Sequence, residues 1–319
     1  MSEMIYRQLG RSGLRVSTVG LGGNNFRTRL DDDTSRAVVD AAIDAGITLF
    51  DTADFYGYGG SEELLGQALG SRRDHVLLAT KFGLPMPGAR PDEARGSRRY
   101  INAAVRASLR RLRTDWIDLY QLHVPDPLTP IEETLGALDD LVHQGLVRYV
   151  GSSSLAAWQV VDAAWVARTR GLQPFVSTQY EYSLLQRRPE AELVPACEAH
   201  GVGTLPFFPL ANGLLTGKFR KGEPLPSGTR LGDEPERAAQ VATDSALQRV
   251  EALRSVADDN GLTLVELAIG WLAGRPTVGS VIAGASSPEQ VHANAAAATV
   301  ELDDKMLAVV DKAAPAPGA

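Results

Sequence analysis

The chain has a single cysteine, Cys197, among 319 residues, so no internal disulfide is available and a reducing compartment is expected. That cysteine lies in "AELVPACEAHG", a helix-like stretch, and reads as a packing residue. Long apolar runs are also missing: none reaches the ~18 residues of a membrane span. The start, "MSEMIYRQLG", has no basic segment followed by a long apolar one, so no secretory leader is expected. Positive charge is in deficit. With 32 Lys and Arg against 39 Asp and Glu, the net charge is −7, which speaks against nucleic acid or an anionic membrane as partner. No GxGxxG follows the first strand candidate, which argues against a doubly wound dinucleotide-binding sheet. These absences together point to a soluble cytoplasmic protein.

What is present is an ordinary globular balance, 44% hydrophobic and 22% charged, able to bury a sizeable core. Short β-rich apolar runs alternate with stretches of helical period. The runs are "STVGLGG", "ITLFDTA", "HVLLATKFG", "WIDLYQLH", "VRYVGSSS", "FVSTQYEYS", "VGTLPFFPL" and "VGSVIAG". Strands so short and apolar suit a parallel sheet covered by helices. Gly46, Gly145 and Gly201 stand where helices should stop. Eight βα units in one chain predict an α/β protein, a single (β/α)8 TIM barrel over 1–319. "YRQLGRSGLRVS" predicts an N-terminal β-hairpin capping the barrel bottom. "RKGEPLPSGTRLGDEPERAAQ" predicts a mobile loop or lid, and 313–319 a disordered tail.

In a barrel of this kind chemistry belongs to the loops at the carboxyl ends of the strands. Asp51 ends the second run, with Tyr56 in its loop; Lys81 ends the third and His123 the fourth. Each alone has a bland structural reading, but together they put an acid, a phenol, an amine and an imidazole on one rim. A phenol with a pKa near ~10 is a sluggish proton donor at neutral pH. An adjacent ammonium stabilises the phenolate, a carboxylate fixes the ammonium, and the imidazole hydrogen-bonds an oxygen on which charge develops. The four make a proton-donating oxyanion site, and no metal is called for.

With this tetrad the chain resembles the aldo-keto reductase family, whose motifs are matched by "FDTADFYG", "TKFG" and "DLYQLH". The resemblance runs from "YRQLGRSGLRVSTVGLGG" to "GASSPEQV" and is closer to the bacterial and potassium-channel β-subunit branch than to the aldose-reductase branch. It implies NADP(H) bound extended across the barrel mouth, and hydride transfer to a small-molecule aldehyde or ketone with Tyr56 as proton donor. Ser153, Ser154 and Gln179 would hold the carboxamide of the cofactor; Ser154 stands where the family commonly has asparagine. The serine run can also cap the helix that follows. In "FFPLANGLLTGK", Phe207 would stack on the nicotinamide and Phe208 replaces a usual serine. Ala211 and Gly213 would let backbone N–H groups approach the diphosphate, with Lys218 supplying charge. The resemblance further sets Gly22, Gly23, Asn24, Asp51, Pro209, Leu210 and Leu214 against the cofactor.

In "GASSPEQV", Ser287 is a good N-cap and Pro288 a good first helical residue, so the new helix offers an anion site. The family places the 2′-phosphate there, against Gly284, Ser286, Gln290 and Asn294. Ser286 occupies a position where arginine is frequent, and Ala293 one where glutamate is. Phe26, Phe55, Phe82 and Val124 are expected to line the substrate pocket. Two rival readings remain: Lys81 as a Schiff-base amine of a barrel aldolase, which Asp51 disfavours by keeping the lysine charged, and an NADPH-binding regulatory subunit with slow turnover.

Overall fold

The stretch ahead of the barrel folds as a hairpin, β1 (Tyr6–Gln8) against β2 (Arg15–Ser17), in the computed structural model, which describes residues 3–317. The chain then alternates through β3 (Val19–Gly22), α1 (Asp32–Asp44), β4 (Leu49–Asp51), α2 (Gly60–Leu69), β5 (Leu77–Phe82), α3 (Arg98–Leu112) and β6 (Ile117–Leu122). It continues through α4 (Ile131–His143), β7 (Val147–Ser153), α5 (Ala157–Arg170), β8 (Ser177–Glu181), α6 (Leu193–His200) and β9 (Gly203–Phe207). Four helices, α7 (Arg230–Asp233), α8 (Pro235–Val241), α9 (Asp244–Asp259) and α10 (Leu264–Ala273), precede β10 (Val281–Gly284); α11 (Pro288–Ala297) and α12 (Asp304–Ala313) follow it. β3 to β10 are parallel, and β10 pairs with both β3 and β9, closing an eight-stranded barrel.

Local chemistry explains the boundaries. Side chains of Asp31, Ser97, Thr243, Thr263, Ser287 and Asp303 accept from backbone N–H groups at the starts of their helices. Gly46, Gly145 and Gly201 lie just past helix ends with φ of 78°, 74° and 69°, the left-handed conformation that stops a helix. α5 departs from expectation: its N-cap is Ala156, whose N–H donates to Gln159 Oε1 at 2.9 Å, so the serine run before it is free for other work.

The hairpin plugs the amino-terminal end of the barrel. Leu9, Leu14 and Val16 form one buried cluster with Leu49, Ala79, Leu119, Leu205 and Ile282 from the barrel strands. Gly10 and Gly203 pack backbone to backbone: a Cβ on Gly203 would sit 2.5 Å from the nitrogen of Gly10. At the other end of the chain, Ala313 closes α12 and Ala314 is buried, its carbonyl accepting from Arg187 at 2.8 Å. Arg187 also pairs with Glu190 and Asp311. The expected loose tail from 313 is therefore anchored at its start, and residues 318–319 lie outside the described residues.

Leu9→Ala should destabilise the protein by about 2–5 kcal/mol, the usual cost of emptying a buried leucine site. Denaturant titration checks this, and a change below about 1 kcal/mol would show that the hairpin does not seal the barrel.

Candidate active site

Strand register places the site. β5 and β6 pair Lys81 with Gln121, and β7 and β8 pair Ser153 with Gln179. Alternation along each strand then turns Lys81, Gln121 and Gln179 toward the barrel axis, where they meet Asp51. Lys81 Nζ donates to Asp51 Oδ2 at 2.6 Å and to the Thr52 carbonyl at 2.9 Å. Gln179 Nε2 and Gln121 Nε2 donate to Asp51 Oδ1 at 2.5 and 3.2 Å. Both charged side chains are almost wholly buried, at 1% and 3% exposure, so each must be satisfied within the protein. Tyr56 completes the group, with its ring centroid 5.1 Å from Lys81 Nζ and 5.9 Å from the edge-on ring of His123. The structure thus brings Asp51, Tyr56, Lys81 and His123 onto one wall of a single cleft.

Electrostatics differ from expectation at the phenol. Burial raises the pKa of Tyr56; the charge of Lys81 pulls it down, but not enough to reverse the direction. The phenol is therefore protonated at neutral pH, and the lysine limits the effect of burial without making it acidic. Burial pushes Lys81 down, yet Asp51 and Tyr56 outweigh it and the net direction is up, so the ammonium persists. A deprotonated Schiff-base amine is incompatible with that pairing. Burial and then Lys81 lower His123 to about 3, leaving a neutral imidazole whose Nδ1 is buried without a partner.

The cleft holds about 750 Å³ and runs from this wall past β9 to the start of α11. Of the residues expected there, Gly22, Asn24, Ser153, Ser154, Gln179, Phe207, Phe208, Pro209, Leu210, Gly213, Lys218, Gly284, Ser286, Gln290 and Asn294 do line it. Others do not. Gly23 lies under the loop, its N–H donating to the Asp51 carbonyl at 2.8 Å. Ala211 and Leu214 are buried behind the cleft wall. The N–H groups of Ala211 and Gly213 are spent on the carbonyls of Phe208 and Leu210, at 2.8 and 2.9 Å, so neither is free for a diphosphate. Ser286 donates from both N–H and hydroxyl to Gln290 Oε1, at 2.9 and 3.1 Å, which leaves the Gln290 amide nitrogen as the open donor.

The expected substrate pocket needs correction. Phe82 is fully buried and stacked on Tyr120 at 4.7 Å, because Lys81 takes the inward position and its neighbour must face the helices. Phe26 is equally buried, in the core under the β3–α1 loop. Phe55 and Val124 are half-buried beside the rim but do not line the cleft.

Three groups the sequence reading missed stand in or next to the cleft. Gln121 has the inward parity of "DLYQLH", two residues before His123, and alternation alone could have found it. Arg230 and Asn25 carry no such signal. Of the segment 220–240, expected to be a mobile loop or lid, 220–229 is irregular and the rest forms the short helices α7 and α8, with Gly228, Thr229, Arg230 and Asp233 lining the cleft. Arg230 Nη2 donates to Asn25 Oδ1 at 2.8 Å, Arg237 Nε to Asn212 Oδ1 at 2.8 Å, and Arg29 pairs with Glu234 at 2.8 Å and Asp233 at 3.4 Å. The ring of Phe208 lies under the guanidiniums of Arg237 and Arg230, at 5.0 and 5.7 Å.

Comparison with known proteins agrees with this architecture. The Aldo/keto reductase family matches residues 18–315. The chain is similar to a probable voltage-gated potassium channel subunit beta of Oryza sativa subsp. japonica, at 38% identity over 96% of this chain and 97% of that one. It is also similar to the Arabidopsis thaliana protein of the same description, at 38% over 93% and 92%. A third relative is the uncharacterized oxidoreductase YrpG of Bacillus subtilis (strain 168), at 36% over 99% and 97%.

Lys81→Met should strand the Asp51 carboxylate in the barrel and cost about 3–5 kcal/mol of stability. Adding Asp51→Asn should recover much of that loss, because the two sites share one interaction. Additive losses in this double-mutant cycle would show that the pair does not hold the site together.

Proposed function

Because the chain belongs to the aldo/keto reductase family, we propose that it is an NADPH-dependent oxidoreductase that reduces aldehydes or ketones to alcohols, with Tyr56 as the proton donor. The observation that carries this reading is the placement of Tyr56 between the Asp51-held Lys81 and His123 on one wall of the cleft. A bound nicotinamide cofactor would supply the hydride.

The residues present fit such a cofactor. Gln179, with its amide nitrogen spent on Asp51, turns its oxygen to accept, which suits a carboxamide N–H beside Ser153 and Ser154. Phe207 lines the adjacent wall and offers a ring face or edge for a planar heterocycle. Burial, and next Arg29 and Arg237, push Arg230 below the usual guanidinium pKa, the mark of a cation short of anionic partners. With Lys218 on the same cleft it would balance a diphosphate. At the far end, the amide of Gln290 and the amino terminus of α11 suit a phosphate.

In the reducing direction the substrate oxygen gains negative charge as the proton of Tyr56 moves to it. Lys81 stabilises the phenolate left behind, and Asp51 keeps Lys81 charged and in place. His123, neutral, donates one hydrogen bond to the same oxygen without competing for the proton.

Two relatives are described as channel β-subunits, which supports a second reading: a cofactor-binding regulatory subunit with slow turnover. Turnover of a simple aldehyde with NADPH separates the two.

Tyr56→Phe should bind cofactor normally and lose reduction by about 10²-fold or more, the scale of general-acid catalysis. Near-normal turnover in that variant overturns the assignment. Kinetics with both cofactors should favour NADPH over NADH by about 1–3 kcal/mol, the span of a few charge-assisted hydrogen bonds. Ser286→Asp should erode that preference by placing a carboxylate beside the phosphate. Equal efficiency with NADH in the wild type would falsify the phosphate site at α11.

A further inference from the structure

Two carboxyl groups, Asp54 and Glu62, lie in the field of a single guanidinium, Arg111, between the barrel wall and the α2–α3 layer, and only Glu62 is bonded to it. Glu62 of α2 is fully buried and satisfied: it accepts from Thr80 Oγ1 at 2.6 Å and pairs with Arg111 of α3 at 2.6 Å. Asp54, 2% exposed, has no such side-chain partner: its Oδ1 is buried without a hydrogen bond, and only the backbone N–H of Phe55 is turned to its carboxyl. The other groups facing it are Lys81 of β5, already committed to Asp51, and Tyr100 of α3 and Tyr120 of β6. The hydroxyl of Tyr120 is likewise buried and unpartnered. With Arg111 held by Glu62, this pocket has one cation for two acids, so a charge on the second acid is disfavoured.

Asp54 is also mechanically coupled to the candidate proton donor two residues on. Its N–H donates to the Lys81 carbonyl at 3.1 Å, fixing the turn to the strand that carries the ammonium. The Tyr56 N–H closes the same turn onto the Ala53 carbonyl at 3.2 Å. Immediately beyond, Gly57 and Tyr58 take left-handed φ of 57° and 51° before the chain enters α2, which carries Glu62. Tyr58 pays a steric cost there that only well-seated neighbours sustain. A charge on Asp54 would sit beside Glu62 at the base of this strained turn.

We propose that Asp54 is a positioning residue for Tyr56 that works only while its own carboxyl is protonated. On ionisation the proton passes to solvent, Glu62 repels the new carboxylate, and the 53–59 turn leaves its seat against the Lys81 strand. Burial, and next the charge of Glu62, push the carboxyl up to about 7, so the change falls at neutral pH. The sign is fixed by linkage. Asp54 stays protonated in the folded state while the unfolded chain ionises, so stability falls as pH rises from the ordinary aspartate value of 3.8 to about 7.

The catalytic half of this inference rests on the reading of Tyr56 as proton donor; the structural half does not, and the test separates them. Hydrogen exchange of amides 54–58, corrected for intrinsic rates, should show opening in the wild type that grows at least about tenfold from about pH 6 to about pH 8.5, as the neutral fraction falls. Asp54→Asn, an isosteric neutral mimic, should show less than about a twofold change over that range. The kcat for an aldehyde should step down over the same range in the wild type, and the step should vanish in Asp54→Asn, leaving only the limb of Tyr56 at higher pH. The melting temperature of Asp54→Asn relative to wild type should rise across the linkage window. Matching exchange and kcat profiles in the two proteins overturn the proposal. Exchange that responds to pH in a protein without carbonyl reduction upholds the coupling and overturns the reductase reading instead. Should Asp54→Asn fail to fold, carbon-13 carboxyl titration of the wild type decides: an aspartate titrating near neutrality supports the proposal, and its absence overturns it.

Discussion

The buried pair of Lys81 and Asp51 is the constraint from which the rest of the site follows. Two ions at 1% and 3% exposure are tolerated only where mutual attraction and further hydrogen bonds replace water. Asp51 therefore recruits two amides, from Gln121 and Gln179, and Lys81 recruits the Thr52 carbonyl. Those donors come from β5, β6 and β8, so the register of half the barrel is tied to the satisfaction of one carboxylate. The room for them is made by a small residue: a Cβ on Gly151 would come within 2.8 Å of Ser177 Oγ and 3.2 Å of Gln121 Cγ.

That arrangement also sets the acidity of a phenol deep in the protein. Burial makes Tyr56 a weaker acid, and the neighbouring ammonium offsets part of that by stabilising the phenolate form. Burial likewise keeps His123 neutral, so a protonated phenol and an uncharged imidazole stand side by side on the cleft wall. One low-dielectric environment thus sets both residues.

Net charge gives the wrong impression of the mouth. The chain carries −7 overall, yet Arg230, Arg237 and Lys218 gather over one cleft, with Phe208 beneath two of the guanidiniums. The acids Asp233 and Glu234 are turned to Arg29, where they strap the lid to the β3–α1 loop. Local field, not total charge, decides which ligand a cleft attracts.

Periodicity and chain punctuation determined the barrel, the hairpin and the strand ends at Asp51, Lys81 and His123, because inward–outward alternation and helix stops are local properties of the chain. The cap at Ser287 was legible for the same reason. The burial of Phe82 was within reach of that logic and was overlooked: once Lys81 faces in, its neighbour faces out. Which N–H groups stay free at Ala211 and Gly213 depends on how a tight turn folds back on Phe208 and Leu210, which residue types do not reveal. The meeting of Arg230 with Asn25, of Gln179 with Asp51, and of Asp54 with Glu62 brings together residues 205, 128 and eight positions apart, respectively. Only closure of the barrel and packing of α2, α3 and the lid decided those contacts, because desolvation and Coulomb energy depend on distance in space and not along the chain.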